Sequence, residues 1–152
     1  MKRPLVVTDS SDAVIELIQE AGEQAANADV PLMVLTVVTD EEYQNDIEVM
    51  ETIHSQEGAT TERGPATYAK NVAQSAITDI LSDLDIETEA IGKHVSDEGD
   101  RADAILETAE NRDADYIFLL GKRRSPTGKA IFGDTAQSVI LNFDNFVVTT
   151  AE

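Results

Sequence analysis

Apolar positions along the chain follow two periods. Leu5 to Thr8 is a short β-type run, and Asp9, Ser10 and Ser11 behind it are all residues that cap helices. From Val14 the period lengthens. Val14, Leu17, Ile18, Ala21 and Ala25 recur at three- and four-residue spacing, which predicts a helix with one apolar face. Val30 to Val38 (VPLMVLTVV) is nearly continuous in apolar and β-branched residues and predicts a strand covered on both faces. Residues 39 to 64 are acidic and weakly periodic, with Gly58, Thr60, Thr61 and Gly64 as breakers, and read as a long connection with room for a short helix.

Helical spacing returns after Pro65, where Val72, Ala76, Ile77, Ile80, Leu81 and Leu84 draw a buried stripe. Ile86 to Ile91 alternates and predicts a strand nearer the edge of a sheet. A helix beginning at Gly99, capped by Asp100, turns Ile105, Leu106 and Ala109 inward. Tyr116 to Leu120 (YIFLL) predicts a buried central strand. After a loop from Gly121 to Gly133 come a helix carrying Val139 and Ile140 and a last strand at Phe146 to Thr150.

Five strands alternating with helices imply an open five-stranded parallel sheet with helices on both faces, because parallel neighbours need right-handed crossovers. The 152 residues suit a single domain spanning 1–152. In such sheets ligands lie outside the carboxyl ends of the strands, where strand order reverses. The segments that meet there are Thr8 to Ser11 and Gly121 to Thr135.

Charge narrows the function classes. Thirty acidic residues against eleven basic ones give a formal net charge of -19, which repels nucleic acid and anionic lipid over most of the surface. The apolar fraction of 41% argues for a packed core rather than acidic disorder. The chain has no cysteine, which removes disulfides and thiolate metal sites and suits a reducing cytoplasm. The N-terminal apolar run stops at Thr8, far short of a signal-peptide core or a span of about 20 residues.

Against this background the stretch GKRRSPTGKAIFGDT stands out. It holds three glycines, and Lys122, Arg123, Arg124 and Lys129 place four of the eleven basic residues within eight positions. Cations between a central strand and a helix start make a local anion well, reinforced by backbone amides and the helix macrodipole, and a phosphate fits it. The competing reading is that these cations neutralise nearby carboxylates and the glycines serve turns. Gly128-Lys129 lacks the G-x4-G-K-[ST] spacing of a P-loop.

The order LVVTD, helix, strand and a late loop of the form G-x2-G-x9-G-[ST] resembles the universal stress proteins over nearly the whole chain, and GKRRSPTGKAIFG is similar to members from halophilic archaea. The resemblance implies an adenine-nucleotide alpha hydrolase-like fold with strand order 3-2-1-4-5. It also implies a stress-response protein binding ATP or a related nucleotide, with Mg2+, and a homodimer paired through the C-terminal edge strand. By that resemblance Asp9, next to Thr8, meets adenine, and Val38 lines the base pocket. Gly121, Gly133 and Thr135 hold ribose and phosphates, beside Arg123, Arg124, Gly128 and Lys129 of the loop. The chain departs from the pattern in two places. Arg124 stands where a glycine should follow Gly121, so that counting back from Gly133 puts the first motif glycine on Leu120. Asp134 occupies the Ser/Thr position, where a carboxylate ~4 Å from a phosphate costs roughly 4 kcal/mol at an effective dielectric near 20 unless a cation bridges them. Asp134 also reads as a helix N-cap.

Other chemistry finds little footing. His54 and His94 lack metal-ligand spacing and read as surface residues; Asp40, Glu41, Glu42 and Asp46 lack EF-hand spacing and read as a solvated acidic stretch. There is no G-x-S-x-G elbow. Three functions stay open: a nucleotide-binding signalling module, a nucleotide-independent dimeric scaffold in which Asp134 closes the phosphate site, and a slow ATPase or phosphotransferase. No residue set marks the chain as an enzyme. Crowded carboxylates repel over a Debye length of about 10 Å at 0.1 M salt and about 3 Å at 1 M. The Tm of this protein is therefore expected to rise from 0.1 M to molar KCl, and a flat or falling Tm contradicts salt adaptation.

Overall fold

The computed structural model describes residues 1–9, 11–54, 64–124 and 130–150, without the side chains of 48–54, 122–124 and 130–132. The elements run β1 (Pro4–Thr8), α1 (Val14–Ala28), β2 (Leu32–Thr39), α2 (Asp40–His54), α3 (Gly64–Ile80), β3 (Thr88–Val95), a 3-10 turn (Glu98–Asp100), α4 (Arg101–Asn111) and β4 (Tyr116–Leu119). They continue with β5 (Lys122–Arg124), β6 (Ala130–Phe132), α5 (Asp134–Asn142) and β7 (Phe146–Thr149).

β1, β2, β3, β4 and β7 form one parallel sheet in the order β3-β2-β1-β4-β7, so the expected 3-2-1-4-5 arrangement holds with β7 as the fifth strand. Leu5 of β1 lies in register with Met33 of β2 on one side and Ile117 of β4 on the other. Because side chains alternate along a strand, the sheet separates two cores. Val6, Val34 and Phe118 pack with Leu17, Ile18 and Ala21 of α1 and Ala73 and Ile77 of α3. On the opposite face Leu5, Leu35 and Ile117 pack with Ile105 and Ala109 of α4 and Val139 of α5.

Four local expectations need correcting. Residues 39–64, read as a long connection with room for a short helix, carry a longer one, the fifteen-residue helix α2. It starts on a reciprocal capping box: Thr39 Oγ1 accepts the Glu42 N–H at 3.2 Å, and Glu42 Oε1 accepts the Thr39 N–H at 2.9 Å. Asp40, Glu41 and Glu42 sit in its first turn, where the helix dipole favours acid. Residues 55–63 lie outside the described residues. β3 begins two residues later than the alternation suggested and extends to Val95; as an edge strand it buries only Ile91, so its pattern is weak. Ala13, not Asp9, Ser10 or Ser11, holds the N-cap position of α1, and Asp100, which holds that of α4 as expected, makes no side-chain cap hydrogen bond there. Finally, the loop from Gly121 to Gly133 is an antiparallel hairpin, with Lys122 opposite Phe132 and Arg124 opposite Ala130.

α3 lies against β3 so closely that a Cβ on Gly92 would come within 2.2 Å of the Lys70 nitrogen and 2.3 Å of the Ala66 oxygen, both backbone atoms. Backbone cannot give way as a side chain can. Gly92→Ala is expected to lower stability by about 2 kcal/mol in urea unfolding, whereas Gly99→Ala, with nothing within 4 Å, stays within about 0.5 kcal/mol of the parent. Equal stability of the two variants contradicts this packing account.

Candidate functional site

The strands run parallel, so their carboxyl ends share one edge, and between the neighbours β1 and β4 the connections diverge, β1 leading through α1 to β2 on one side and β4 through α5 to β7 on the other. That divergence leaves a crevice between the crossovers. A cleft of about 580 Å³ occupies it on the α4/α5 side, with Thr8 and Asp9 from β1, Leu120 and Gly121 after β4, and Gly133, Asp134 and Thr135 at the start of α5 along its wall. A smaller cavity of about 160 Å³ lies over the end of β2, beneath α2 and α3, and includes Val38, Thr36 and Tyr68. Asp9 and Glu42 line both.

The fold thus brings Thr8, Asp9, Leu120, Gly121, Gly133, Asp134 and Thr135 to one cleft and Val38 to the adjoining cavity. Arg123 and Arg124 are placed in backbone only, on β5, while Gly128 and Lys129 lie outside the described residues. The Asp9 carboxylate forms a tight turn at the strand end, its Oδ1 accepting the Ser11 N–H at 2.7 Å, rather than capping α1. Gly121 and Gly133 are joined by a bond from the Gly133 N–H to the Gly121 carbonyl at 3.1 Å, and the Gly121 N–H donates to Thr150 Oγ1 at 3.3 Å. The mouth of the hairpin is therefore closed by backbone and pinned beside β7.

Asp134 is the first residue of α5, not its cap; the N-cap position is Gly133, in extended conformation. There the carboxylate faces the positive end of the helix dipole. The amides of the first turn, Asp134, Thr135 and Ala136, have no intrahelical acceptor and face the cleft wall. An anion of phosphate size can use them, in competition with the Asp134 side chain.

Sequence reasoning missed the one basic side chain among the described residues of this cleft. Arg101, 12% exposed, donates from Nη2 to Glu42 Oε1 at 2.7 Å and to Glu98 Oε2 at 2.8 Å, and from Nη1 to the Val37 carbonyl. It ties the start of α4 to the end of β2 and the start of α2. Burial pushes the guanidinium pKa down, but its bonds to Glu98 and Glu42 outweigh that and raise it. Burial likewise pushes Glu42 up; the Thr39 N–H and the Arg101 guanidinium prevail, leaving it below the usual carboxylate range. The signals were present in T-x-x-E at 39–42 and in a lone arginine opening the α4 pattern. His94, read as a surface residue, pairs with Asp40; the His54 side chain lies outside the described residues. Among the described residues no three His, Cys, Asp or Glu side chains converge as metal ligands, and no helix is long and apolar enough to cross a membrane.

The model of the Universal stress protein family matches residues 1–149. The chain is similar to a universal stress protein from Archaeoglobus fulgidus at 25% identity and a TM-score of 0.65, covering 98% of each chain. A second structure from that organism, in complex with dAMP, is 20% identical with a TM-score of 0.55, covering 98% of this chain and 97% of the other. A universal stress protein in complex with cAMP is 17% identical with a TM-score of 0.60, covering 98% and 95%. No curated protein matches the chain.

The lowered Glu42 pKa fixes the sign of a pH effect: its stabilisation is present above the unfolded carboxylate pKa and fades as pH falls through the lower folded value. Glu42→Gln is expected to cost about 1 kcal/mol at pH 7, since the pair is partly solvated. Urea titrations from pH 7 to pH 3 should show the two proteins converging, and a gap that stays constant contradicts the role given to its charge.

Proposed function

The chain belongs to the universal stress protein family, and from that premise we propose that it is a stress-response binding protein that takes a nucleotide, ATP or a close relative, between Asp9 and the start of α5. The observation that carries this reading is the 580 Å³ cleft at the point where strand order reverses, with first-turn amides of a helix on one wall and a strand-end aspartate on the other. Support comes also from the similar structures, one in complex with cAMP and one with dAMP. In this reading Asp9 and Val38 approach the base, while Gly121, Gly133 and Thr135 approach ribose and phosphate. The cations of 122–129 draw in the anion. Asp134 would be the residue to meet a Mg2+ brought with a triphosphate, and the ion would offset part, not all, of the repulsion between that carboxylate and the phosphates; among the described residues no three carboxylates form a metal site by themselves.

The protein works as a homodimer in a salt-rich cytoplasm, its subunits pairing through β7. That strand is the sheet edge, and Phe146 at its start is 61% exposed. One observation favours a second reading. The exposed Asp134 carboxylate stands at the first-turn amides, where it can occupy the anion site itself and leave the dimer as a nucleotide-independent scaffold.

Calorimetric titration with ATP and Mg2+ in molar KCl separates the two, with subunit mass measured by light scattering in the same buffer. Saturable binding by a dimer is expected, and Asp134→Ser should tighten it about tenfold or more by removing a like charge. Absence of heat at millimolar nucleotide in the parent, regained in Asp134→Ser, supports the scaffold. Absence in both contradicts the nucleotide site.

A further inference from the structure

Helix α2 is fastened to the rest of the fold by polar side chains. From Asp40 to Ile47, the part of the helix whose side chains are described, no residue is buried. Three pairs to three different elements hold it instead: Asp40 with His94 of β3, Glu42 with Arg101 of α4, and Asp46 with Tyr68 of α3, whose hydroxyl donates to Asp46 Oδ2 at 2.7 Å. The Tyr43 ring adds a contact with the Tyr68 ring, centroids 5.7 Å apart. Partly solvated pairs contribute far less than buried apolar surface, so a segment docked in this way opens before the core does.

Of the three pairs, only Glu42 and Arg101 line the large cleft. Glu42 Oε1 accepts both the Thr39 N–H at 2.9 Å and Arg101 Nη2 at 2.7 Å, so a single oxygen completes the cap of α2 and ties α2 to α4. The guanidinium has firmer holds elsewhere. Glu98, three residues before it, takes a fork from Nε at 3.0 Å and Nη2 at 2.8 Å, and Nη1 donates to the Val37 carbonyl. A bidentate fork within one chain turn is harder to displace than a single bond to a carboxylate on another helix, and the Glu42 side chain is 46% exposed against 12% for Arg101. An anion entering the cleft therefore competes most easily for the Nη2 bond to Glu42, and its charge repels that carboxylate as it does so.

We propose that α2 is the ligand-responsive element of this protein: an anionic ligand in the cleft takes the Arg101 bond from Glu42, α2 loses its tie to α4, and its first turn loosens. Occupancy of the cleft is thereby reported on the outer surface as mobility of α2. The proposal rests on the nucleotide reading given above and adds how the bound state is signalled. Asp40–His94 and Asp46–Tyr68 do not line the large cleft, so the helix stays tethered while the Glu42 bond is exchanged. The coupling is reciprocal, and a change that frees Arg101 from Glu42 in advance favours the ligand by the factor with which the ligand loosens α2.

Amide hydrogen exchange of the full chain in molar KCl, with and without saturating ATP and Mg2+, tests this. ATP is expected to speed exchange in the first half of α2 about fivefold or more while slowing it at the first turn of α5. In Glu42→Gln the first half of α2 should exchange fast without ATP and gain nothing from it, and calorimetry should show ATP bound about fivefold tighter than by the parent. Glu98→Gln, which alters the other partner of the same arginine, should leave α2 slow without ATP. Arg101→Lys keeps the charge and loses the fork; it should make α2 fast without ATP, and it replaces Glu42→Gln should far-UV melting show that variant unfolded. If ATP protects α5 but leaves α2 unchanged or slower, or if Glu42→Gln binds ATP no tighter, the coupling is wrong and the nucleotide site stands. If ATP gives neither heat nor protection, both readings fall.

Discussion

The position of β1 between β2 and β4 is the constraint from which the rest follows. Parallel pairing on both sides holds Leu5 in register with Met33 and Ile117, so three strands end at one edge, and the two crossovers leave on opposite faces. Neither cavity is a separate invention. The larger opens where the chain departs toward α4 and α5, the smaller where it departs toward α2 and α3, and Asp9, at the tip of β1, belongs to both.

Electrostatics then decides what such an edge can do in a molecule of net charge -19. The described walls of the large cleft hold Asp9, Glu42, Glu98 and Asp134, and their one basic partner, Arg101, is already committed to Glu42 and Glu98. Arg101 therefore works as a strut between α4 and α2 rather than as a spare cation. In the proposed reading, anion capture falls to backbone amides at the start of α5 and to the basic residues of 122–129. The carboxylates of the small cavity, which would repel a phosphate, suit the donor edge of a base. A nucleotide, with its charge at one end and its N–H groups at the other, matches this division of labour.

How much of this could be read from sequence depended on how strongly burial imprinted the pattern. The central strands, buried on both faces, show as the runs LVVT, LMVLTVV and YIFL, and with the helical stripes between them they indicate an open parallel sheet, whereas the strand order was implied by the family resemblance alone. β3, with Ile91 alone buried, left a blurred signal and was placed two residues early. α2 was read only as room for a short helix in a long connection because its helical cue is polar: the reciprocal bonds of Thr39 and Glu42 and three acids in its first turn, not an apolar face. The lining of the cleft was legible where a strand end or a single loop supplied it, as for Asp9 after β1 and for Gly121 and Gly133 around the hairpin. Arg101 meets Glu42 across 59 residues of chain, and Tyr68 and Thr36 share the small cavity, only through tertiary contact, and no spacing rule reports that.

The central claim is that the ligand sits at the carboxyl edge of the sheet, against the tip of β1 and the first turn of α5. Amide chemical shifts recorded by two-dimensional NMR during titration with AMP test it most directly. The account predicts saturable shifts at Asp9, Gly121 and Gly133 through Ala136, with smaller ones at Thr36 and Val38. Saturable binding that leaves those amides unmoved and shifts another face of the molecule would contradict it.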